Sequence, residues 1–260
     1  MKWIIKGMII VAALAVVATV AYAAPDIEMV KVKGGCYLMG DTFGDGEANE
    51  KPVHQVCVSD FYIGKFVVTQ AIWHEVMRNN PSYKDCVSCP VENVSFDDAQ
   101  QFINKLNDQT GKNYRLPYEA EWEYAARSGG KHEKWAGTSN QDELEKYASF
   151  AGNNGKTTQR VGGKKPNGLG LYDMTGNVWE WCKDWYGADY YQNSPKNNPH
   201  GPLSGSTRVL RGGSWGNSAG NGRAAFRGGT VPSGRRDFIG FRLVLPADHS
   251  SVRVRPLNRL

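Results

Sequence analysis

The chain has 260 residues, of which 40% are hydrophobic and 11% aromatic, with eight Trp and thirty Gly. This content supports the core of one large domain with many turns and a loop-rich architecture. A formal net charge of +5 is too weak to predict nucleic-acid binding, so we expect no nucleic-acid partner.

The N-terminal 23 residues have the pattern of a secretory signal peptide. Lys2 and Lys6 form a short positive region before an apolar run over residues 8–20. The small-residue motif Ala21-Tyr-Ala23 follows as a cleavage site. The alternative is an uncleaved membrane anchor, although the run is short for a membrane span. We therefore predict an exported protein, periplasmic or extracellular, whose mature form has no membrane span.

Short strands are predicted near both ends of the remaining chain. From Met29 the pattern is strand, loop, strand, with β-like runs over residues 35–39 and 54–58. Residues 61–68 alternate between apolar and polar side chains, which predicts a half-buried strand. Further short strands are expected around residues 208–210 and 241–245.

Three helices are predicted between these strands. Thr69 is a candidate N-cap for a helix over residues 70–77, and Ser95 for a second helix with acidic residues in its first turn. A third helix opens near Pro117 and stops at Gly129-Gly130. Two to three helices in a loop-rich mixed sheet make an α+β domain.

The five cysteines suit an exported protein, in which disulfides can form. Cys36 and Cys57 lie in neighbouring β-like runs and are predicted to bridge them. Cys86 and Cys89 form a C-x-x-C motif, for which the alternatives are a redox pair, half of a zinc site or a tight structural disulfide. We favour the disulfide, and we expect Cys182 to be unpaired and buried.

Ten ordered motifs run through nearly the whole mature chain. They are Gly34-Gly35 with Met39-Gly40, Pro52-Val-His54, Val68-Thr-Gln70, Pro90-Val-Glu-Asn-Val94, Arg115-Leu-Pro117, Glu119-Ala-Glu-Trp-Glu-Tyr124, Pro166-Asn-Gly-Leu-Gly-Leu-Tyr172, Gly176-Asn-Val-Trp-Glu-Trp181, Arg211-Gly-Gly-Ser-Trp215 and Gly240-Phe-Arg242. Together they resemble the formylglycine-generating enzyme family, also called sulfatase-modifying factors. The resemblance implies one domain over residues 24–246, with a loop-rich variant of the C-type lectin fold and a basic tail over residues 247–260.

The resemblance also implies a calcium site. The family's calcium-binding segment matches the side chains of Asp173 and Glu180 and the carbonyl groups of Gly176 and Val178. Carboxylates and carbonyls in a turn are the ligands that Ca²⁺ prefers. The alternative is that Glu180 hydrogen-bonds backbone or pairs with an arginine.

Copper is not expected. The family's oxidases bind copper through two cysteines a few residues after the Gly-Gly-Ser motif, and copper(I) selects such soft thiolates. Residues 215–227 contain no cysteine, and none follows Cys182. We therefore expect no copper-dependent oxidase activity. The alternative is an enzyme of the family, either a sulfatase maturation oxidase or a periplasmic enzyme of the siderophore-maturation type.

Arginine is concentrated in the last fifth of the chain. Ten Arg and no Lys occur from Arg208 onward. Arg227 and Arg242 are candidates for pairing with carboxylates from the rest of the domain. Most of the other arginines are expected to be solvated.

Residues 216–238 have an unusual composition. The segment is rich in Gly, Ser, Asn, Arg and Asp, and it contains no Lys, Glu, Gln, Met or Trp. Mutation of the adenines in an Asn codon can give Gly, Ser, Asp, Thr, Val, Arg or Phe, all of which occur in the segment. It never gives the five residue types that are absent. The segment resembles the variable region of proteins targeted by diversity-generating retroelements, which use this fold as a ligand-binding scaffold.

Small polar residues with aromatic and Arg anchors suit a recognition surface. We therefore predict a non-catalytic module that binds an unknown protein or glycan ligand, as a monomer. The candidate ligand-binding residues are Trp215, Asn217, Ser218, Asn221, Arg223, Phe226, Thr230, Ser233, Arg235, Arg236, Asp237 and Phe238.

Overall fold

The computed structural model describes residues 25–153 and 156–247. The predicted signal peptide, and the predicted basic tail beyond residue 247, lie outside the described residues. Within them the chain folds as an α+β domain with short strands, three α-helices and long loops, as predicted.

The strands form three small sheets. In chain order they are β1 (Met29–Val32), β2 (Gly35–Met39), β3 (His54–Val58), β4 (Phe61–Gly64), β5 (Trp179–Trp185), β6 (Arg208–Arg211), β7 (Gly228–Thr230), β8 (Ile239–Gly240) and β9 (Val244–Pro246). One sheet has the antiparallel order β1-β4-β9, and β2 pairs with β3 as a hairpin. The third has the order β7-β6-β5-β8, with β8 parallel to β5. The C-terminal segment, residues 208–246, therefore contributes strands to two sheets.

The helices are α1 (Gln70–Met77), α2 (Phe96–Thr110) and α3 (Glu119–Ala126). Both predicted N-caps are confirmed. The side chain of Thr69 accepts a hydrogen bond from Ile72 N at 3.3 Å, and that of Ser95 accepts one from Asp98 N at 3.1 Å. These bonds satisfy backbone donors that a helix start leaves without partners.

Two strand predictions need correction. The predicted strand over residues 61–68 ends at Gly64, because Val68 leaves the sheet and its N–H donates to Phe241 O at 2.9 Å. No strand is predicted where β5 lies, although β5 is the longest strand of the described residues. Five of its first six residues are buried, polar ones such as Glu180 included, so buried and exposed side chains do not alternate along β5.

Buried ion pairs attach the C-terminal segment to the rest of the domain. Arg227 binds Glu119 through Nε and Nη2 at 2.7 and 2.8 Å, and Arg242 binds Glu180 through the same two atoms at 2.6 and 2.7 Å. The predicted pairing of Arg227 and Arg242 is thus confirmed.

The expectation that most other arginines are solvated is wrong for two of them. Arg211 is fully buried and contacts Glu123, which also accepts from Arg127 Nε at 3.0 Å. Arg223 binds both carboxylate oxygens of Glu50 at 2.7 Å. Composition does not reveal which arginines point inward.

Arg227→Ala tests the weight of these pairs. It leaves the Glu119 carboxylate buried without its main partner, so we expect the free energy of unfolding to fall by about 3–5 kcal/mol. Arg235→Ala is the matched control, because Arg235 pairs with Asp98 at the surface and its loss should cost less than about 1 kcal/mol. Urea denaturation of both variants makes the comparison, and equal losses would contradict it.

Candidate ligand-binding site

The turn after β6 is held by a side chain that we had assigned to ligand binding. Asn217 Oδ1 accepts hydrogen bonds from Ser214 N at 3.1 Å, from Ser214 Oγ at 2.6 Å and from Trp179 Nε1 at 2.8 Å. Three donors therefore converge on one amide oxygen. Asn217 stabilises the loop that carries Trp215, so its contacts are those of a scaffold residue.

The segment before β8 lies beside Trp215 and the start of α2. Trp215 Nε1 donates to Asp237 O at 3.2 Å. Asn93 N donates to Arg236 O at 2.8 Å, and Phe96 N donates to Pro232 O at 2.9 Å. Three distant parts of the chain thus meet at one place on the surface.

A cleft of about 440 Å³ opens at this place. It is lined by Tyr83, Lys84, Glu92, Lys156, Thr157, Thr158, Trp215 and Asp237. The volume lies within the usual range for small-ligand sites, about 300–1,000 Å³. Trp215 and Asp237 are the two members of the predicted ligand set that line it.

The other six lining residues were not predicted. Glu92 belongs to the motif Pro90-Val-Glu-Asn-Val94, which we interpreted as a marker of the fold alone. Tyr83 is 86% exposed, so it stands at the rim of the cleft. The remaining members lie in loops without a recognisable pattern, and no local signal could have grouped them.

Glu92 is an unusual carboxyl group. It is 2% exposed, its Oε1 accepts from Tyr83 N at 2.5 Å, and its Oε2 is buried without a hydrogen-bond partner among the described residues. Burial, followed by the charge of Asp237, raises the pKa of Glu92 to about 7, although the N–H groups of Tyr83 and Lys84 oppose the shift. The cleft therefore contains an acceptor that titrates near neutral pH.

The rest of the predicted ligand set divides into exposed and inward-facing residues. Ser218, Ser233, Arg235 and Arg236 are exposed, while Asn221, Phe226, Thr230 and Phe238 are half-buried. Phe226 and Phe238 pack against the hydrophobic cluster that contains α1 and α2.

The assignment of Arg223 to the ligand surface is wrong. Its side chain is buried, and both of its Nη atoms bind Glu50. If the guanidinium of Arg223 turned toward a ligand, the buried Glu50 carboxylate would lose its partner, which is costly. Arg223 therefore belongs to the scaffold.

The predicted calcium segment does not offer a free carboxylate pair. Glu180 accepts from Arg242 at both oxygens and also from Trp122 Nε1 at 2.7 Å, which is the alternative that we had weighed. Asp173 Oδ2 accepts from Gly162 N at 2.8 Å, and burial raises the pKa of Asp173 to about 6.

A cation at this segment would have to displace a guanidinium from Glu180. The predicted ligands Asp173, Gly176, Val178 and Glu180 therefore include one carboxylate that is already engaged by a guanidinium. Among the described residues, no group of three or more His, Cys, Asp or Glu side chains is placed to hold a metal ion. Calcium binding stays a prediction.

Both predicted disulfides are confirmed. Cys36–Cys57 joins β2 to β3 at directly opposed positions, and Cys86–Cys89 closes a tight loop over residues 86–89, shortly after Tyr83 and Lys84. Cys182 is free and buried, and burial raises the pKa of its thiol well above the ordinary value. Cys182 therefore does not supply a thiolate at neutral pH.

None of the helices in residues 25–153 and 156–247 has the length and apolar character needed to cross a membrane.

The raised pKa of Glu92 predicts a pH-dependent stability. The folded protein keeps a proton on Glu92 up to pH about 7, whereas the unfolded chain releases it near the ordinary pKa of 4.5. The stability contributed by the protonated carboxyl is therefore present below pH 4.5 and is lost as pH rises to about 7.

Comparison with Glu92→Gln isolates this contribution, because glutamine keeps the shape but does not titrate. Between these pH values the free energy of unfolding of the wild type should fall by about 3 kcal/mol relative to the variant. Denaturant titrations across the window measure it. Parallel pH profiles for the two proteins would show that the pKa of Glu92 is not raised.

Comparison with known proteins identifies the family. Residues 17–247 match the family described as "Sulfatase-modifying factor enzyme 1-like domain". The formylglycine-generating enzyme of Streptomyces coelicolor is 31% identical over 85% of this chain and 90% of that protein.

Two solved structures are similar throughout. Treponema denticola variable protein 1 is 34% identical with a TM-score of 0.79, covering 86% of this chain and 98% of that one. PvdO from Pseudomonas aeruginosa is 26% identical with a TM-score of 0.72, covering 84% and 94%. The chain has the fold that the sequence motifs predicted, and it belongs to the sulfatase-modifying factor family.

Proposed function

We propose that this protein is an exported, non-catalytic member of the family that binds a protein or glycan ligand through its C-terminal surface. One observation carries the proposal: the C-terminal segment combines a buried frame with exposed positions beside a cleft. The frame includes Arg211, Arg227 and Arg242, all 3% exposed or less. The exposed positions are Gly216, Ser218, Gly220, Gly229, Val231, Ser233, Arg235 and Arg236.

This division suits a surface that varies on a constant scaffold. The buried ion pairs hold the segment in place, so side chains between them can change without disturbing the core. Rigid presentation of small polar residues with aromatic neighbours is how antibody loops recognise ligands. The similarity to Treponema denticola variable protein 1 supports the same interpretation.

The chemistry of the segment also favours binding over oxidation. Residues 215–227 contain no cysteine, and Cys182 is buried with a pKa raised well above its ordinary value. A copper(I) centre requires soft ligands such as thiolates. Two disulfides within 260 residues support export, because such bonds persist in oxidising compartments.

Glycine positions provide a direct test of the variable surface. A Cβ at Gly216 meets no atom within 4 Å, and at Gly220 the nearest atom is Ser218 Oγ at 3.6 Å. We therefore expect Gly216→Asn and Gly220→Asn to change the free energy of unfolding by less than about 0.5 kcal/mol, as at ordinary surface positions.

Gly213→Ala is the control within the same segment. Gly213 has a φ of +70°, and its Cβ would lie 3.0 Å from Asn221 O, so we expect a loss of at least about 1–2 kcal/mol. Thermal and urea unfolding of the three variants measure the contrast. Destabilisation by both Asn substitutions would contradict a tolerant surface.

The origin of the variation is tested in the genome. If the segment is diversified by a retroelement, its coding DNA should differ from a nearby, almost identical template repeat at adenine positions, and a reverse transcriptase gene should lie beside it. Absence of all three features would reject diversification, while ligand binding by a fixed surface would still stand.

An enzyme is the second candidate. It is favoured by Glu92, because a carboxyl group with a pKa near 7 in a cleft is typical of general acid–base sites. The oxidase version has a simple test with purified protein, copper and a Cys-containing sulfatase peptide. We expect no conversion of the cysteine to formylglycine by mass spectrometry, and turnover would overturn the proposed function.

A further inference from the structure

We propose that the cleft between Glu92 and Asp237 receives a cationic side chain of a protein ligand, the ammonium of a lysine or the guanidinium of an arginine. This inference deepens the proposed ligand-binding function and rests on it. It names the chemical group that the cleft recognises.

Glu92 presents an unsatisfied acceptor at the cleft. Its Oε1 is engaged by the N–H of Tyr83, whereas Oε2 is buried without a donor among the described residues. A buried polar atom without a partner is costly, and a ligand that donates to it removes that cost. When Glu92 is ionised, the group of a ligand that satisfies Oε2 is therefore an N–H or O–H donor.

The cleft carries two acidic side chains. Glu92 and Asp237 both line the cleft, and the charge of Asp237 opposes ionisation of Glu92. A neutral hydroxyl can donate to Oε2, but it does not offset repulsion between two carboxylates. A cation does both, and charge-assisted hydrogen bonds are about twice as strong as neutral ones. The pair of carboxylates thus favours a cationic donor over a glycan hydroxyl.

The walls of the cleft suit the rest of such a side chain. Tyr83 and Trp215 offer aromatic surface, which attracts cations and packs against methylene groups. Lys84 and Lys156 also line the cleft; they oppose any cation, a multivalent metal ion more strongly than a single ammonium or guanidinium, and they can donate to backbone carbonyls of a peptide. The combination suits one cation at the end of an apolar stem on a polypeptide.

The test uses the full chain labelled with ¹⁵N and two small probes. They are N-acetyl-lysine methylamide and its neutral counterpart N-acetyl-norleucine methylamide, which differ only in the terminal ammonium. The readout is the indole N–H resonance of Trp215, whose Nε1 donates to Asp237 O. We expect the lysine probe to shift this resonance in a saturable way and the norleucine probe to leave it unchanged.

Glu92→Gln and Asp237→Asn should each lower the affinity for the lysine probe by about tenfold or more, since hydrogen bonds to charged groups contribute about 1.5–3 kcal/mol. Glu75→Gln on the exposed face of α1 is the matched control and should bind like the wild type. Glutamine at position 92 keeps the acceptor for Tyr83 N, so the fold is retained, and thermal unfolding checks this.

The pH dependence gives a second readout. Ionised Glu92 binds the cation and protonated Glu92 does not, so wild-type affinity should rise as pH increases through about 7. Asp237, Tyr83, Lys84 and Lys156 are the charged or titratable groups that line the cleft with Glu92. Glu92→Gln should lack this rise between pH 6 and pH 8, values on either side of the pKa of about 7.

Three results would overturn the inference. Equal shifts from the norleucine probe would show that the stem alone is recognised. Unchanged lysine affinity in both Glu92→Gln and Asp237→Asn would place the cation elsewhere. A shift of Trp215 by methyl glucoside but not by the lysine probe would assign the cleft to a glycan, and the proposed binding function would then survive without this inference.

Discussion

The pairing of buried guanidinium groups with buried carboxylates is the constraint on which this domain depends. Loops make up much of the fold, and loops do not stabilise themselves. Arg227 and Arg242 reach Glu119 and Glu180 from the far end of the sequence, and neither partner is exposed. A buried charge is costly without its partner, so movement of the C-terminal segment away from the domain would leave Glu119 and Glu180 without these guanidinium groups.

Different residues of the C-terminal segment contribute to stability and face the solvent. Buried residues such as Arg211 stabilise the fold, whereas Gly216 and Gly220 border open space. The cleft lies where these two roles meet. Trp215 is half-buried and contributes one wall, while Glu92 is buried in a loop before α2 and contributes an acceptor. The proposed ligand would therefore contact both the C-terminal segment and a buried residue of the scaffold.

The sequence predicted what short-range chemistry decides. Thr69 and Ser95 cap their helices with groups only three residues away, and opposed cysteines report a hairpin. Prediction from the sequence failed where the outcome depends on which way a side chain points or on contacts between residues far apart in the chain. Strand β5 is buried on both faces over most of its length, Arg223 is buried against Glu50 although composition predicted a solvated side chain, and Glu92 and Asp237 line one cleft although more than half of the chain separates them.

Four hydrogen bonds attach residues 232–238 to the rest of the domain through main-chain carbonyl groups. Phe96 N, Asn93 N, Trp215 Nε1 and Trp179 N donate to the carbonyl oxygens of Pro232, Arg236, Asp237 and Phe238 respectively. Every acceptor is a main-chain atom, and main-chain atoms are the same for all residue types. These four bonds therefore hold the segment whatever its side chains are. Arg235 adds a side-chain pair with Asp98, and Phe238 packs against the hydrophobic cluster that contains α1 and α2. Exposed positions without such contacts can change by mutation while the path of the backbone across the surface stays the same.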